Sequence, residues 1–218
     1  MGEIRAGRDY AVVIGDIVGS RTYADQHVLF GNLRGVLERV NTWVESAHPM
    51  QMTVGDEFQG AYEKVSTALE AVLLTRLALR GDFGVRFGVA WGAISTYDVE
   101  EAPRGQSGEA WWRAREALDH VARVAAKQQW PRTLHTAFAG GSSEFQATIN
   151  AFLLCHDELL GKMDEKDLRI TLGLFRGERQ EDVARELGIS QPSVARRQVE
   201  NGSNAVFRAY EQLRGLTP

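Results

Sequence analysis

Hydrophobic residues form a nearly continuous run over residues 10–18, a pattern typical of a central strand buried on both faces. Apolar positions then recur at helical spacing over residues 26–47, just after Asp25, whose side chain can cap a helix. Two short β-favouring runs, residues 50–54 and 58–62, flank a Gly-Asp-Glu turn. The pattern therefore begins with a strand, a helix and a β-hairpin.

The next two patterns complete the order of elements. Residues 65–80 have helical periodicity, and residues 85–91 alternate between apolar and other side chains as a half-exposed strand does. Strand, helix, strand, strand, helix, strand is the order of the ferredoxin-like split βαβ sheet, which predicts an α/β protein of the α+β type. In that topology the first strand lies between the third and the fourth and runs antiparallel to the third.

The rest of the chain is mainly helical. Residues 140–143, Gly-Gly-Ser-Ser, form the clearest linker, so we predict one domain over residues 1–142 and an all-α domain over residues 143–218. The other predicted elements are a loop at 95–107, a helix at 109–128, a strand at 132–139 and helices at 144–160 and 165–175.

Residues 180–201 have the spacing of a helix-turn-helix. Apolar residues recur on the inner side of the first helix, and Gly188 separates it from a second helix that Ser190 can cap. Ala184 is small at the position where the two helices must approach closely. A last helix, reaching about Leu213, would brace this unit.

Four polar residues lie on or near the exposed side of the second of these helices: Gln191, Ser193, Arg196 and Arg197. Gln and Arg side chains read base edges through paired hydrogen bonds, and Ser and Arg side chains also bind phosphates. We therefore predict an interface for double-stranded DNA. The alternative is a helix-turn-helix-shaped packing module that binds no DNA.

Two aspartates stand where the predicted topology brings the chain together. Asp16 ends the first strand and Asp56 lies in the hairpin turn, beside the start of the third strand. Either residue alone would also suit a surface or a turn. As a pair they predict a site for Mg²⁺ or Mn²⁺, because such ions bind one or two carboxylates together with substrate phosphates. Gly19 and Ser20 follow at the strand-to-helix turn, where backbone N–H groups can hold phosphate oxygens.

Composition narrows the function further. The formal net charge of −4 gives no overall basic surface, so any nucleic-acid interface must be local. The single cysteine, Cys155, excludes an internal disulfide, and its apolar helical context predicts a buried thiol. No apolar run approaches the roughly 20 residues that span a bilayer, and the N-terminus lacks a signal-peptide pattern. We therefore expect a cytoplasmic protein with no membrane partner.

Several motifs resemble known families. Residues 14–20 and 54–58, IGDIVGS and VGDEF, resemble the two metal-aspartate motifs of class III nucleotidyl cyclases, and the GDEF turn resembles the metal hairpin of GGDEF diguanylate cyclases. The chain as a whole resembles the SatD family, a bacterial group that often ends in a helix-turn-helix. Four motifs in order carry that resemblance: residues 15–20, 55–60, 87–96 and 108–117.

The resemblance implies roles for individual residues. Asp16 and Asp56 would be the metal carboxylates, and Ile17 would add a backbone carbonyl. Class III cyclases also place an Asn and an Arg on a helix after the third motif, where the two steady the transition state. Here residues 111–115 supply Arg115 but no asparagine. The segment that would contact the ligand or its phosphates consists of Ile17, Val18, Gly19 and Ser20.

These observations lead to one predicted function and one alternative. We predict a homodimeric transcription regulator that binds DNA and whose cyclase-like domain binds a nucleotide or a cyclic mono- or dinucleotide with Mg²⁺. The alternative is an active nucleotidyl cyclase, or a related phosphoryl-transfer enzyme, that uses Asp16 and Asp56 as ligands for two metal ions.

Overall fold

The computed structural model describes residues 4, 8–80, 82–96, 105–125, 127 and 129–218. Within them the strands are β1 (Asp9–Ile17), β2 (His48–Met52), β3 (Glu57–Tyr62), β4 (Val85–Ala93), β5 (Ser95–Thr96), β6 (Gln106–Ser107) and β7 (Thr136–Ala139). The helices are α1 (Gln26–Trp43), α2 (Val65–Leu79), α3 (Glu109–Val124), α4 (Ser143–Gly161), α5 (Glu165–Phe175), α6 (Gln180–Leu187), α7 (Gln191–Glu200) and α8 (Ser203–Leu213).

The main sheet has the strand order β2-β3-β1-β4-β7. β1 lies between β3 and β4 and is antiparallel to both, as the split βαβ order predicts. β7 adds a fifth strand, parallel to β4, and β5 and β6 pair in a separate two-stranded sheet. The fold is therefore an α+β sheet of the ferredoxin-like type, extended at one edge.

Alternation along β1 separates two buried layers. Ala11, Val13 and Ile17 pack into the core that α1 and α2 share, whereas Tyr10 and Val12 pack against α3. Both sides of the strand are covered over residues 10–15, so its continuous hydrophobic run reflects burial on two faces. Asp16 belongs by this alternation to the face that α3 covers.

Helix α4 covers the outer edge of the sheet. The Asn150 side chain accepts a hydrogen bond from the Phe138 N–H at 2.9 Å and donates one to the Phe138 carbonyl at 2.8 Å. Gln146 accepts a further bond from the Gly140 N–H at 2.8 Å. These side chains take the place of a sixth strand, because an edge strand otherwise presents unpaired backbone groups.

A buried ion pair joins α2, α4 and β7. Asp157 on α4 is fully buried and contacts the Arg76 guanidinium and the His156 ring. It also accepts backbone hydrogen bonds from His135 at 2.7 Å and Thr136 at 2.8 Å. Burial alone would raise the pKa of Asp157, but Arg76 and the donated hydrogen bonds hold it at about 2. Burial lowers the pKa of His135 to about 4, so this imidazole is neutral at pH 7.

The apolar core continues across the predicted linker. Phe145, Ile149 and Leu153 of α4 and Val206 and Tyr210 of α8 belong to the same buried cluster as α1 and α2. A smaller cluster joins α5, α6 and α7 through Ile170, Val183, Ala184 and Val194. The division into domains at residue 142 stays a prediction, and no break in the core marks it. No helix in the described ranges has the length and apolarity to cross a membrane.

Some predicted boundaries are wrong. Helix α1 ends at Trp43 rather than near residue 47, and His48 already belongs to β2. The Asn41 side chain explains this, because it bonds both the N–H (2.9 Å) and the carbonyl (2.7 Å) of Met50 and so fixes the returning strand beside α1. Cys155 was predicted to be buried but is exposed, because the inner face of α4 is formed by its neighbours.

Candidate metal and nucleotide site

Three charged residues lie side by side across three strands. Asp16 on β1 pairs in register with Glu57 on β3 and with Arg86 on β4. Residues directly opposite each other in antiparallel strands project from the same face of the sheet. The row Glu57–Asp16–Arg86 therefore faces α3, near the end of β1.

Arg86 holds Asp16 through two hydrogen bonds. Its Nε donates to Asp16 Oδ1 at 3.0 Å and its Nη2 donates to Asp16 Oδ2 at 2.7 Å. Both side chains are mostly buried, with 22% of Arg86 and 23% of Asp16 exposed. Such a bidentate pair orients the carboxylate and compensates its charge. It leaves the carboxylate with lone pairs that point elsewhere.

Arg115 on α3, the helix that packs on this face of the sheet, contacts the same row. This α3 residue donates from Nη2 to Glu57 Oε1 at 2.6 Å, and Gln59 donates to the same oxygen at 3.0 Å. The sequence pattern suggested Arg115 only through the cyclase resemblance. Its position over the carboxylates follows from the packing of α3 across β1 and β4.

Asp56, in the hairpin turn, is held by a side chain from the segment that follows β1. Ser20 donates its hydroxyl to Asp56 Oδ2 at 2.5 Å. Ser20 begins a short 3-10 turn that Gly19 precedes in the left-handed conformation, with φ +70°. The strand end that carries Asp16 and the hairpin that carries Asp56 are thus joined directly, in agreement with the predicted topology.

The predicted phosphate segment is partly occupied by its own contacts. The Val18 N–H donates to the Gly84 carbonyl at 2.8 Å, so it is not available to a ligand in this conformation. The Ile17 side chain is buried in the core. The N–H groups of Gly19 and Ser20 donate no hydrogen bond within the described ranges. These two amides remain the candidates for phosphate binding.

Gly15, the first residue of the Gly-Asp pair, has a packing role. A Cβ at this position would lie 2.2 Å from the tip of the Phe58 ring. Phe58 and Phe87 are the cross-strand neighbours of Gly15, and their rings contact each other edge to face at 5.6 Å. The glycine is required for that contact, which fixes the register that places Asp16 between Glu57 and Arg86.

The donor set fits a hard divalent cation that also binds an outside ligand. Asp16 and Asp56 supply carboxylate oxygens on adjoining segments, and each keeps lone pairs beyond those that Arg86 and Ser20 use. Among the described residues no group of three or more His, Cys, Asp or Glu side chains is placed to hold a metal ion by itself. Phosphate oxygens and water would have to complete the coordination, as Mg²⁺ commonly requires.

The residues predicted to contact DNA differ in availability. Arg196 has 67% of its side chain exposed, with only a 3.9 Å approach to Glu200. Ser193 bonds Ser190 at 2.8 Å, and Gln191 donates to a neighbouring glutamine on α6 at 2.5 Å. These three lie at the surface of α7 or at its N-terminus.

Arg197 is a structural anchor instead. It forms ion pairs with Asp164 and, at 2.8 Å, with Asp167, and both aspartates belong to the start of α5. Asn201 donates to the same Asp167 carboxylate at 3.0 and 3.1 Å. Arg197 therefore ties α7 to α5, and the prediction that it contacts DNA does not agree with these contacts.

The sequence model of the SatD family matches residues 10–216. The chain belongs to the SatD family. No functionally curated protein matches this SatD chain at a significant level.

Several solved structures resemble part of this SatD chain, with TM-scores below 0.5. The guanylyl cyclase Cya2 is 16% identical, with a TM-score of 0.43, and the match covers 55% of this chain and 73% of that one. An EAL/GGDEF domain protein from M. capsulatus is 17% identical, with a TM-score of 0.43 and coverage of 65% and 90%. The active GGEEF domain of a diguanylate cyclase from Vibrio cholerae is 16% identical, with a TM-score of 0.40 and coverage of 53% and 78%.

Sequence reasoning missed Arg86 in this candidate site, because Arg86 looked like an ordinary exposed position of an alternating strand. The predicted topology places Glu57 beside Asp16, either as a supporting carboxylate or as a turn residue. The register places both of them directly opposite Asp16, whereas Asp56 precedes β3 in the hairpin turn. Counting residues from the hairpin turn and from the predicted start of β4 would have indicated both, provided that the register was known.

Proposed function

We propose that this SatD protein is a DNA-binding transcription regulator whose cyclase-like part binds a nucleotide or a nucleotide second messenger together with Mg²⁺ or Mn²⁺. The observation that carries the nucleotide half is the row Glu57–Asp16–Arg86, with Asp56 and Arg115 beside it. Carboxylates for a cation and arginines for phosphates meet there at one end of the sheet.

Each residue of the row has a distinct part in this proposal. Asp16 and Asp56 hold the cation, which supplies positive charge to the phosphates of the nucleotide. Arg86 keeps Asp16 oriented, and the free N–H groups of Gly19 and Ser20 donate to phosphate oxygens. Arg115 can exchange its bond to Glu57 for one to a phosphate, since guanidinium groups bind carboxylates and phosphates with the same geometry.

The substitution Asp16→Asn tests the nucleotide half. We expect it to reduce the gain in affinity that Mg²⁺ gives to ATP or GTP by at least about tenfold, because a hydrogen bond or contact to a charged group is worth roughly 1.5–3 kcal/mol. Calorimetric titrations with Mg²⁺ and with EDTA measure that gain. The metal-dependent difference is the readout, because an Arg86 released from Asp16 could itself bind phosphate.

Asp9→Asn is the matched control for that titration, since Asp9 lies at the exposed far end of the same strand. It should leave the Mg²⁺-dependent gain unchanged. Equal gains in the wild type and in Asp16→Asn would remove Asp16 from the proposed site.

The DNA half of the proposal rests on α6 and α7. The two helices are joined by the three residues 188–190, and Ser190 caps α7 through the Ser193 N–H at 3.3 Å. Val194 is completely buried against Val183 and Ala184, which directs the opposite side of α7, with Arg196, to the surface. A short, braced helix with an exposed arginine suits the major groove.

Arg196→Gln tests the DNA half. With duplexes selected from a random library, fluorescence anisotropy should give a roughly tenfold weaker affinity for this variant, because one bidentate base contact is worth about 1–3 kcal/mol. Arg208→Gln on α8 is the control, since Arg208 is 75% exposed and pairs locally with Glu211. Arg197 is unsuitable because its loss would leave Asp167, which is 3% exposed, without its ion pair. An unchanged affinity of Arg196→Gln would contradict the assignment of α7 as the recognition helix.

We further propose a homodimer. Sites of the cyclase type are shared between two copies, and dimeric helix-turn-helix proteins read half-sites about 34–36 Å apart. Trp112 on α3, with 67% of its surface exposed, suits such an interface, whereas its neighbour Trp111 is buried. A ligand bound between the cyclase-like parts would then set the separation of the two α7 helices.

The second candidate is an active nucleotidyl cyclase or a related phosphoryl-transfer enzyme. Arg115 favours it, because this cation stands on α3 within reach of the carboxylate row. The titration samples distinguish the two candidates when they are analysed by chromatography and mass spectrometry. A cyclic product or released pyrophosphate that disappears in Asp16→Asn would establish the enzyme, and unchanged triphosphates would favour the regulator.

A further inference from the structure

A cavity lies where the helices α1 and α2 meet the C-terminal helices α5 and α6. It has a volume of about 280 Å³. None of its lining residues belongs to the row around Asp16. Its lining includes Trp43 and Glu186 and the four arginines Arg39, Arg80, Arg169 and Arg176.

Two of the arginines share one glutamate. Arg169 on α5 donates to both oxygens of Glu186 at 2.9 Å, and Arg80 at the end of α2 donates to Glu186 Oε1 at 2.9 Å. Arg169 is buried, with 8% of its side chain exposed, while Arg80 and Glu186 are each about half exposed. Glu186 alone therefore compensates one of these two positive charges.

A second glutamate is shared in the same way. Glu178 accepts from Arg169 at 2.6 Å and lies 2.8 Å from the Arg176 guanidinium. Arg176 also stacks on Trp43, with its Cζ 4.5 Å from the ring centroid. The planar arginine and the indole together form a flat, partly exposed wall of the cavity.

The cluster has more positive charge than its own acids neutralise. Four guanidinium groups face two carboxylates, which leaves an excess of two positive charges in a chain whose formal net charge is −4. Arg39 forms no ion pair with any residue in the described part of the chain. The Nη1 atom of Arg169 is buried and has no hydrogen-bond partner there. Converging, undercompensated arginines are the usual receptor for phosphate groups.

We infer that this cavity binds a small phosphorylated molecule, with phosphate groups on Arg39 and Arg80 and a planar group at the wall of Trp43 and Arg176. The volume suits one ring with its phosphates, near the lower end of the roughly 300–1,000 Å³ of small-molecule sites. The inference does not depend on the proposed function, because no residue of the Asp16 row takes part.

A ligand in this cavity would affect how the surrounding helices pack together. α5 contacts α2 on one side and α6 and α7 on the other. An anion that bridges Arg39 on α1 and Arg80 at the end of α2 to Arg176 at the end of α5 would hold α5 against α1 and α2. The ligand would thereby fix the orientation of α7 relative to the sheet.

Binding in EDTA separates this site from the metal-dependent one. Full-length protein would be titrated with inorganic pyrophosphate and with ATP by calorimetry at about 50 mM salt and 1 mM EDTA. We expect saturable 1:1 binding that Arg39→Gln weakens at least tenfold. Arg39→Lys should recover part of the affinity, and Arg208→Gln and Asp9→Asn should behave as the wild type. Arg39 is exposed and forms no ion pair with the described residues, so its substitution leaves the fold intact.

The outcomes separate the candidate ligands. ATP that binds more tightly than pyrophosphate supports a nucleotide with its base at Trp43, and equal affinities would overturn the placement of a planar group at the wall of Trp43 and Arg176. Failure of both probes to bind the wild type in EDTA would overturn the inference, as would unchanged binding by Arg39→Gln. So would a DNA duplex that displaces ATP in the wild type but not in Arg39→Gln, because the arginines would then serve nucleic acid.

Discussion

Replacing Asp157 by alanine is expected to lower the free energy of unfolding by about 3–5 kcal/mol, the usual cost of breaking a buried ion pair at one partner. The substitution leaves the Arg76 guanidinium, only 12% exposed, without its carboxylate. It also removes the acceptor of the His135 and Thr136 N–H groups at the start of β7. Buried donors without partners add to the cost.

Urea unfolding followed by circular dichroism measures this loss. Asp157→Asn keeps the shape and one acceptor oxygen, so it should fall between the wild type and the alanine variant. Glu158→Gln is the matched control, because this neighbour is partly exposed, pairs with Lys162 at the surface, and as glutamine keeps an oxygen for the Thr133 hydroxyl that donates to it at 2.6 Å. It should unfold at the wild-type urea concentration. A loss below about 1 kcal/mol for Asp157→Ala would show that the Arg76 contact does not stabilise the junction of α2, α4 and β7.

The order of the first four strands could be predicted because it depends on local patterns. A continuous apolar run, two helical periodicities and a glycine turn are each readable within about 20 residues. The known rules of split βαβ sheets then placed Asp16 beside the hairpin that carries Asp56. Ser20 bonding Asp56 across 36 residues agrees with that placement.

The partners of the charged residues could not be predicted in the same way. Arg86 meets Asp16 only because β1 and β4 pair in one particular register, and a shift by one residue would turn Arg86 to the opposite face. Arg197 looked like a base-reading side chain because its partners, Asp164 and Asp167, are distant in sequence and lie on another helix. Spacing within one helix shows which side chains share a face, but not what covers that face.

The arginines around the cavity could not be predicted as a group for the same reason. Its residues come from α1, α2, α5 and α6, and each arginine taken alone resembles a solvated surface charge. Only tertiary packing shows that two glutamates are shared among three of the four guanidinium groups. A site built from several elements is therefore harder to predict from sequence than a site built from one motif.

The second large effect is expected at Gly88, where helix α3 lies directly on strand β4. A Cβ at this position would lie 1.9 Å from the Ala114 carbonyl oxygen and 2.6 Å from the Leu118 N atom. Both are backbone atoms, so no side chain can rotate away. We expect Gly88→Ala to lower the free energy of unfolding by about 3 kcal/mol, the upper end of the usual cost of overpacking.

Gly92→Ala provides the matched control on the same strand and face. The Cβ there would meet its nearest neighbours, the Ala110 N atom and Arg113 Nη1, at 3.6 Å, which is an ordinary contact. This variant should unfold close to the wild type, and the comparison isolates steric overlap from the general effect of losing a glycine. Equal midpoints for Gly88→Ala and Gly92→Ala would show that α3 is not seated on β4 at the distance described.

Gly88→Ala should also disturb the candidate site, because α3 brings Arg115 to Glu57 at 2.6 Å. A helix displaced outward by a methyl group would separate that pair while leaving Asp16 and Asp56 in the sheet and its hairpin. The Mg²⁺-dependent gain in nucleotide affinity should then fall only by the part that Arg115 contributes, whereas the affinity in EDTA should be unchanged. A complete loss of the gain would show that the carboxylates themselves depend on the seating of α3, and an unchanged gain would place Arg115 outside the nucleotide site.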